Sequence, residues 1–341
     1  MDDPFSPEHI KRVDSHLVHR TYERWTSLAR EGFRVAPSLP SGGLRKGFVL
    51  GMGGSAAGGD IIASWLADRP AIGVGVFKGQ LPTEDMDDSL AIAVSASGET
   101  EETIEMMKTA VKKHATVVSI SSGGSLMEVA KKLGVPHIRM PGLVAPRYVL
   151  PYIVFACLSV MNSALDLKCE ADAEEAFRGM EAEGRTVRVG SPLKENPSKV
   201  LALSLVDRTP VIYGSKSTRG AGIRFKNVLN ENAKVHALYY GIPDAFHNDI
   251  EAWEDPRGDF EPIFLRHSSE EKRDRVRTDL MVRILSSADR SPIEVSGRRR
   301  GTLSELITLV YRLDMASYYL ALCLGRDPFP TKLIDRLKRA S

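Results

Sequence analysis

Apolar positions along the 341-residue chain alternate between two rhythms. After a polar amphipathic opening over about residues 6–31 and the loop VAPSLPSGGLRK, the run GFVLG is short, apolar and closed by glycine, which predicts a buried strand. AAGGDIIASWLA then has helical spacing. AIGVGVF (71–77) and SLAIAVS (89–95) predict two more strands. TEETIEMMKTAVKKH predicts a helix, ATVVSIS a strand, GSLMEVAKKL a helix and VPHIRM a further strand. Strands alternating with helices of this length are βαβ units, which require a parallel sheet with helices on both faces. The first lobe is predicted to be α/β.

Pro146 precedes a long apolar helical segment reaching about Leu167, and Lys168 to Gly190 is charged, as expected of a connection over the surface. A second lobe is predicted from Ser191. There TPVIYG (209–214), the turn SKSTRGAG, the helix-like IRFKNVLNEN and the strand-like VHALYYG repeat the order strand, glycine turn, helix, strand. The pattern predicts two related, doubly wound α/β lobes, 1–190 and 191–341, each a mainly parallel sheet flanked by helices. The length suits two domains of about 150 residues.

Composition narrows the class. With 43% apolar and 26% charged residues, the chain cannot be a disordered, collagenous or coiled-coil protein. Its 46 Lys+Arg against 44 Asp+Glu leave a net charge of +2, so no polyanion-coating function follows and any anion site must be local. The one compact basic cluster, Arg298-Arg299-Arg300, has no interleaved aromatics and reads as an exposed turn, not a nucleic-acid surface. Cys157, Cys169 and Cys323 are an odd set without C-x-x-C spacing, which argues against a disulfide framework and a zinc site and for a reducing cytoplasm. The opening MDDPFSPEHIKRVDSH lacks the form of a signal peptide, and the longest apolar run, Tyr148 to Met161, is interrupted by Pro151 and falls short of a membrane span. No export or membrane crossing is expected.

Two turns carry candidate chemistry. GMGGSA (51–56), with Gly54 and Ser55, leaves a strand and opens a helix, which gathers free backbone N–H groups and the positive end of a helix dipole. Read as G-x-G-x-x-A it also fits a dinucleotide fingerprint, but the second strand ends at Phe77-Lys78 where that fold expects an acid for the ribose; Lys78 would instead favour a 2′-phosphorylated dinucleotide. The second turn, Ser95-Ala96-Ser97-Gly98-Glu99-Thr100, places three hydroxyls at another helix start, where a phosphate monoester finds several donors. Ser95 or Ser97 serving only as a helix cap is the plain alternative.

GMGGS followed some forty residues later by SxSGxT resembles a sugar isomerase (SIS) domain. The further segments Ala145-Pro146-Arg147, Asn230 to Lys234, His247-Asn248-Asp249 and Asp327 to Lys338 resemble the bifunctional phosphoglucose/phosphomannose isomerases, from about Gly47 to the end. Ala56 and SASGET, where glycine and SYSGNT are more usual, are departures that remove no hydroxyl. The resemblance implies a cytoplasmic homodimer that interconverts glucose 6-phosphate or mannose 6-phosphate with fructose 6-phosphate, without metal or cofactor. It implies Glu231 as the base for the C1/C2 proton transfer, His247 and Lys338 in ring opening, with His247 reaching the neighbouring subunit's site, and Arg147 facing the enediolate. It also implies phosphate binding by Gly54, Ser55, Ser95, Ser97 and Thr100, and a small Thr331 where glucose-only isomerases place glutamine; on its own, Thr331 after Pro330 is a good helix N-cap. His16 and His19, three apart on the opening helix, have no third ligand and read as a polar face. The rival classes are a SIS-type sugar-phosphate sensor without turnover and an NADP-dependent dehydrogenase using GMGGSA.

Overall fold

The computed structural model describes residues 3–37, 39, 43–69, 72–81, 86–142, 145–288 and 290–340. Its contacts divide the chain into two compact units: residues 24–178 with 300–304 form the first lobe, and 1–23, 179–299 and 305–341 the second. A single cut after residue 190 does not describe this division. The opening residues join the second lobe because the buried Tyr22 bonds there, its backbone carbonyl accepting from Tyr311 Oη at 2.6 Å.

The first lobe holds a five-stranded parallel sheet of β1 (Lys46–Leu50), β2 (Gly73–Phe77), β3 (Ser89–Ser95), β4 (Thr116–Ser121) and β5 (His137–Arg139) in the order β2-β1-β3-β4-β5. All five expected strands are present; Ala71, the first residue of the second, lies outside the described residues. Every residue of β3 is buried, which is why SLAIAVS is a continuous apolar run with no alternation. Its Ala91 and Ala93 pack with Leu50, Ile104, Met107 and Leu126 from neighbouring elements. The helices Gly53–Trp65, Glu101–Lys112 and Gly124–Lys132 make the crossovers.

The second lobe repeats the plan with four parallel strands, β6 (Thr209–Gly214), β7 (Leu238–Gly241), β8 (Phe260–Arg266) and β9 (Ile293–Ser296), in the order β7-β6-β8-β9. Its core joins Val211, Tyr213, Trp253, Phe264, Met281 and Leu285.

Three expectations are corrected. The charged stretch after Lys168 is an 18-residue helix, Glu170–Val187. Cys169, Ala173, Ala176, Phe177, Met180 and Val187 are buried at helical spacing beneath its charged positions. Next, the apolar segment after Pro146 is long enough to cross a membrane, as is Thr302–Cys323, at 19 and 22 residues; both are mostly buried within the fold. Last, His16 and His19 do not share a helix: His16 stacks on Phe329 in a turn and His19 pairs with Asp14 at 2.8 Å. The three cysteines are free thiols, and burial pushes Cys157 up to about 12, so it stays protonated and inert at neutral pH.

Candidate active site

Strand order reverses at β1 and β3, the neighbours from which the chain departs to opposite edges of the first sheet. Open α/β sheets bind ligands at the carboxyl ends of such a pair. GMGGSA follows β1 and SASGET follows β3, and the two turns are joined: Ala96 N–H donates to Ser55 Oγ at 3.2 Å. Arg147 sits at the same place. Its backbone is 3.7 Å from where a Cβ on Gly54 would lie, and its guanidinium stacks on Tyr148 at 4.5 Å, almost wholly buried.

Both helices starting here lack a side-chain cap. Met52 and Thr100 occupy the cap positions without accepting from the first turn. Ser6 Oγ accepts from His9 N–H and Asn196 accepts from Ser198 and Lys199, but the helices Trp25–Phe33, Arg219–Val228 and Lys272–Ser287 also start without a side-chain cap. What sets these two starts apart is that their turns are joined and lined with hydroxyls. Uncapped first-turn amides at a helix N-terminus are donors for an external anion. Among the hydroxyls, the buried Ser95 is spent inside the turn, donating to Thr100 Oγ1 at 3.0 Å and accepting from Gly98 N–H at 3.1 Å. Ser97 is exposed and accepts from Glu99 N–H at 3.2 Å. Glu99, one of the departures noted above, accepts from Ser125 N–H at 3.1 Å and Oγ at 2.6 Å, which fills the N-terminus of the third crossover helix and holds its carboxyl below the usual carboxylate range. Of the three crossover helices of the first lobe, two start uncapped at the reversal point and the third is closed by the Glu99 carboxylate.

In the second lobe both corresponding turns are filled from within. Tyr239 packs its ring against Gly222 and donates to Gly214 O at 3.4 Å over the turn after β6, where Ser215 and Ser217 hydroxyls bond each other at 3.0 Å. After β8, the buried Glu305 carboxylate accepts from Ser268 N–H at 3.1 Å and Oγ at 2.5 Å. A built-in anion occupies the position that the first lobe leaves open.

Glu231 lies where the helix Arg219–Val228 widens into a π turn, Leu229–Ala233. Such turns cluster at functional sites because the extra residue re-aims side chains. Lys234 ends it in the left-handed region, φ +59°, and its Nζ donates to the carbonyls of Glu231 at 2.9 Å, Asn232 at 3.2 Å and Asp327 at 2.8 Å. Thr331 precedes the helix Lys332–Ala340; its carbonyl accepts from Asp335 N–H at 2.9 Å and its hydroxyl lies 3.4 Å from Asp335 Oδ1. Lys338 is exposed on that helix, and His247 is exposed at the end of the short helix Asp244–His247. Lys78 is 2.8 Å from Asp60, so the cation a 2′-phosphate would need is already paired. Of the basic cluster, Arg299 and Arg300 are exposed as expected, but Arg298 bonds the buried Glu183 at 2.6 Å.

Comparison with known proteins identifies the family. The Bacterial phospho-glucose isomerase C-terminal SIS domain matches residues 194–340. The chain is 30% identical over 313 residues to the bifunctional phosphoglucose/phosphomannose isomerase of Caldicellulosiruptor bescii, covering 90% of this chain and 92% of that protein. The chain belongs to this family. A second bifunctional phosphoglucose/phosphomannose isomerase, from Aquifex aeolicus, is 30% identical over 86% of this chain and 89% of its own length. Among solved structures, a glucose-6-phosphate isomerase like protein from Thermus thermophilus covers all of both chains at TM-score 0.63 and 21% identity, which shows the family's two-lobed α/β fold. Family membership makes the chain an isomerase.

Proposed function

We propose that the enzyme interconverts glucose 6-phosphate or mannose 6-phosphate with fructose 6-phosphate, in the cytoplasm and as a homodimer. The observation that carries the reading is the pair of joined, uncapped turns after β1 and β3 with Arg147 beside them. Ser97, Thr100, Ser55 and the amides around Gly54 hold the phosphate, and Ser95 acts by fixing Thr100. His247 and Lys338 pass protons during opening of the sugar ring. Glu231 takes the proton from C2 of the open-chain aldose and returns it to C1, with the paired electrons held meanwhile in an enediolate. Arg147 faces that negative charge, as a fixed guanidinium fork suits an oxyanion. His247, exposed on its own lobe, serves the neighbouring subunit's site.

The test is a coupled assay of purified protein with each aldose phosphate in EDTA, with no nicotinamide cofactor in the isomerisation step. Turnover of both is expected; turnover of neither sinks the proposal. Run on Thr331→Gln, the same assay examines specificity. Glucose and mannose phosphates differ only at C2, so one carboxylate serves both only if the C1–C2 end can rotate. The added bulk should preserve most glucose 6-phosphate activity and lower kcat/KM for mannose 6-phosphate by about tenfold or more, roughly 1.4 kcal/mol. An equal fall in the two would instead indicate a defect at the start of the Lys332–Ala340 helix.

A further inference from the structure

Asn232 follows Glu231 in the π turn and is fully buried. Its side-chain amide donates to Ser317 Oγ at 2.9 Å and to Tyr22 Oη at 3.2 Å, both buried. Ser317 Oγ in turn donates to the Asp314 carbonyl at 2.7 Å, and the Asp314 carboxylate receives the buried Arg224 guanidinium through two bonds, of 3.1 and 2.6 Å. Arg224 itself stands on the helix that runs into the π turn. Burial alone would lower its proton affinity, but Asp314, followed by Tyr22 and Glu231, holds it above the usual arginine value. The residue beside Glu231 is therefore tied to the helices His19–Glu23 and Thr302–Cys323, and the helix leading to it is tied to the latter.

A π turn is a locally disfavoured backbone that persists only where its surroundings over-determine it. An ordinary helical register would rotate position 231 away from its present direction. We propose that Asn232, clamped by Tyr22 and Ser317, is the positioning residue that holds the π turn and so aims the Glu231 carboxylate. This rests on the reading of Glu231 as the base. The clamp makes no bond to substrate, so its loss acts on the proton-transfer step and not on phosphate binding.

The experiment compares Tyr22→Phe, Ser317→Ala and the double variant in the full-length protein, measuring kcat, KM and Tm with fructose 6-phosphate. Each hydroxyl is removed without leaving a buried charge. Tyr319→Phe is the control: on the same long helix it loses a buried hydroxyl that donates to the Val187 carbonyl at 2.8 Å and accepts from Asn196 Nδ2 at 3.4 Å, bonds that do not involve Asn232. The expectation is a kcat lower by about tenfold in each single variant and about a hundredfold in the double, with KM within about twofold, as for loss of an interaction that matters in the transition state alone. Tyr319→Phe should lose Tm but not kcat. Should the clamp variants lose Tm while kcat and KM match wild type, as in Tyr319→Phe, the role is structural and the proposal fails. Glu231→Gln is assayed alongside. If it stays active, the reading of Glu231 has failed; if it is inactive while the clamp variants are normal, only the positioning role has.

Discussion

Glu231→Gln is expected to lower kcat by about three to four orders of magnitude, the usual worth of a positioned general base, with KM within about threefold of wild type. The amide keeps the shape of the carboxylate and cannot accept the C2 proton. Glu231 is half-exposed, and Lys234 holds its backbone carbonyl, so the π turn keeps that tether, while the lost charge ranks after Asp314 and Tyr22 among those that favour the buried Arg224 guanidinium. His247→Ala should fail differently, with a substrate that enters already open-chain recovering much of the lost rate. The two inactive proteins also test where His247 acts. Mixed under conditions that allow subunit exchange, they should regain up to about a quarter of wild-type activity, because half of the dimers are then mixed and each mixed dimer has one site with both groups intact. A mixture as inactive as its components, with exchange verified, would place His247 and Glu231 of one chain in the same site.

The first lobe was legible in the sequence because local pattern and tertiary demand agree there. SLAIAVS matches β3 residue for residue, since a central parallel strand buried on both faces has nothing to alternate. In the second lobe they disagree. Phe260–Arg266 pairs with both β6 and β9, yet Glu261 and Pro262 interrupt its apolar run, and proline ordinarily argues against a central strand. Glu261 is accommodated by an ion pair with Arg208, which no local window reveals. Likewise Glu170–Val187 looks like a surface connection because charge dominates its composition; only spacing distinguishes the buried stripe. At the site, the turns were readable as short motifs. The division of labour within them was not: Ser95, Ser97 and Thr100 look equivalent in sequence, and folding turns only Ser95 inward. The Asn232 clamp was invisible for a stronger reason, as its partners Tyr22 and Ser317 are 210 and 85 residues away.

Gly98→Ala is expected to disable the turn after β3. Gly98 has φ +79°, where an L side chain costs roughly 1–2 kcal/mol. The larger obstacle is space: the added Cβ would fall 1.8 Å from the Gly123 carbonyl oxygen, a backbone atom with no rotamer to yield. The turn must therefore move, and with it the Gly98 N–H bond to Ser95, the Ser95 bond to Thr100 and the first amides of the Glu101–Lys112 helix. A displacement of about 1 Å in a positioning group can cost on the order of a hundredfold, and a hydrogen bond to a charged oxygen is worth about 1.5–3 kcal/mol. The variant should therefore show KM raised at least about tenfold for glucose 6-phosphate and fructose 6-phosphate alike, and a fall in stability on the order of 2 kcal/mol. Gly134→Ala separates strain from site. Gly134 has φ +68° but open space where the Cβ would go, so it carries the left-handed penalty without the collision, just past the Gly124–Lys132 helix. It should lose about 1 kcal/mol and leave KM unchanged. If Gly98→Ala were destabilised no more than Gly134→Ala and bound substrate normally, the turn after β3 would not be the phosphate cradle.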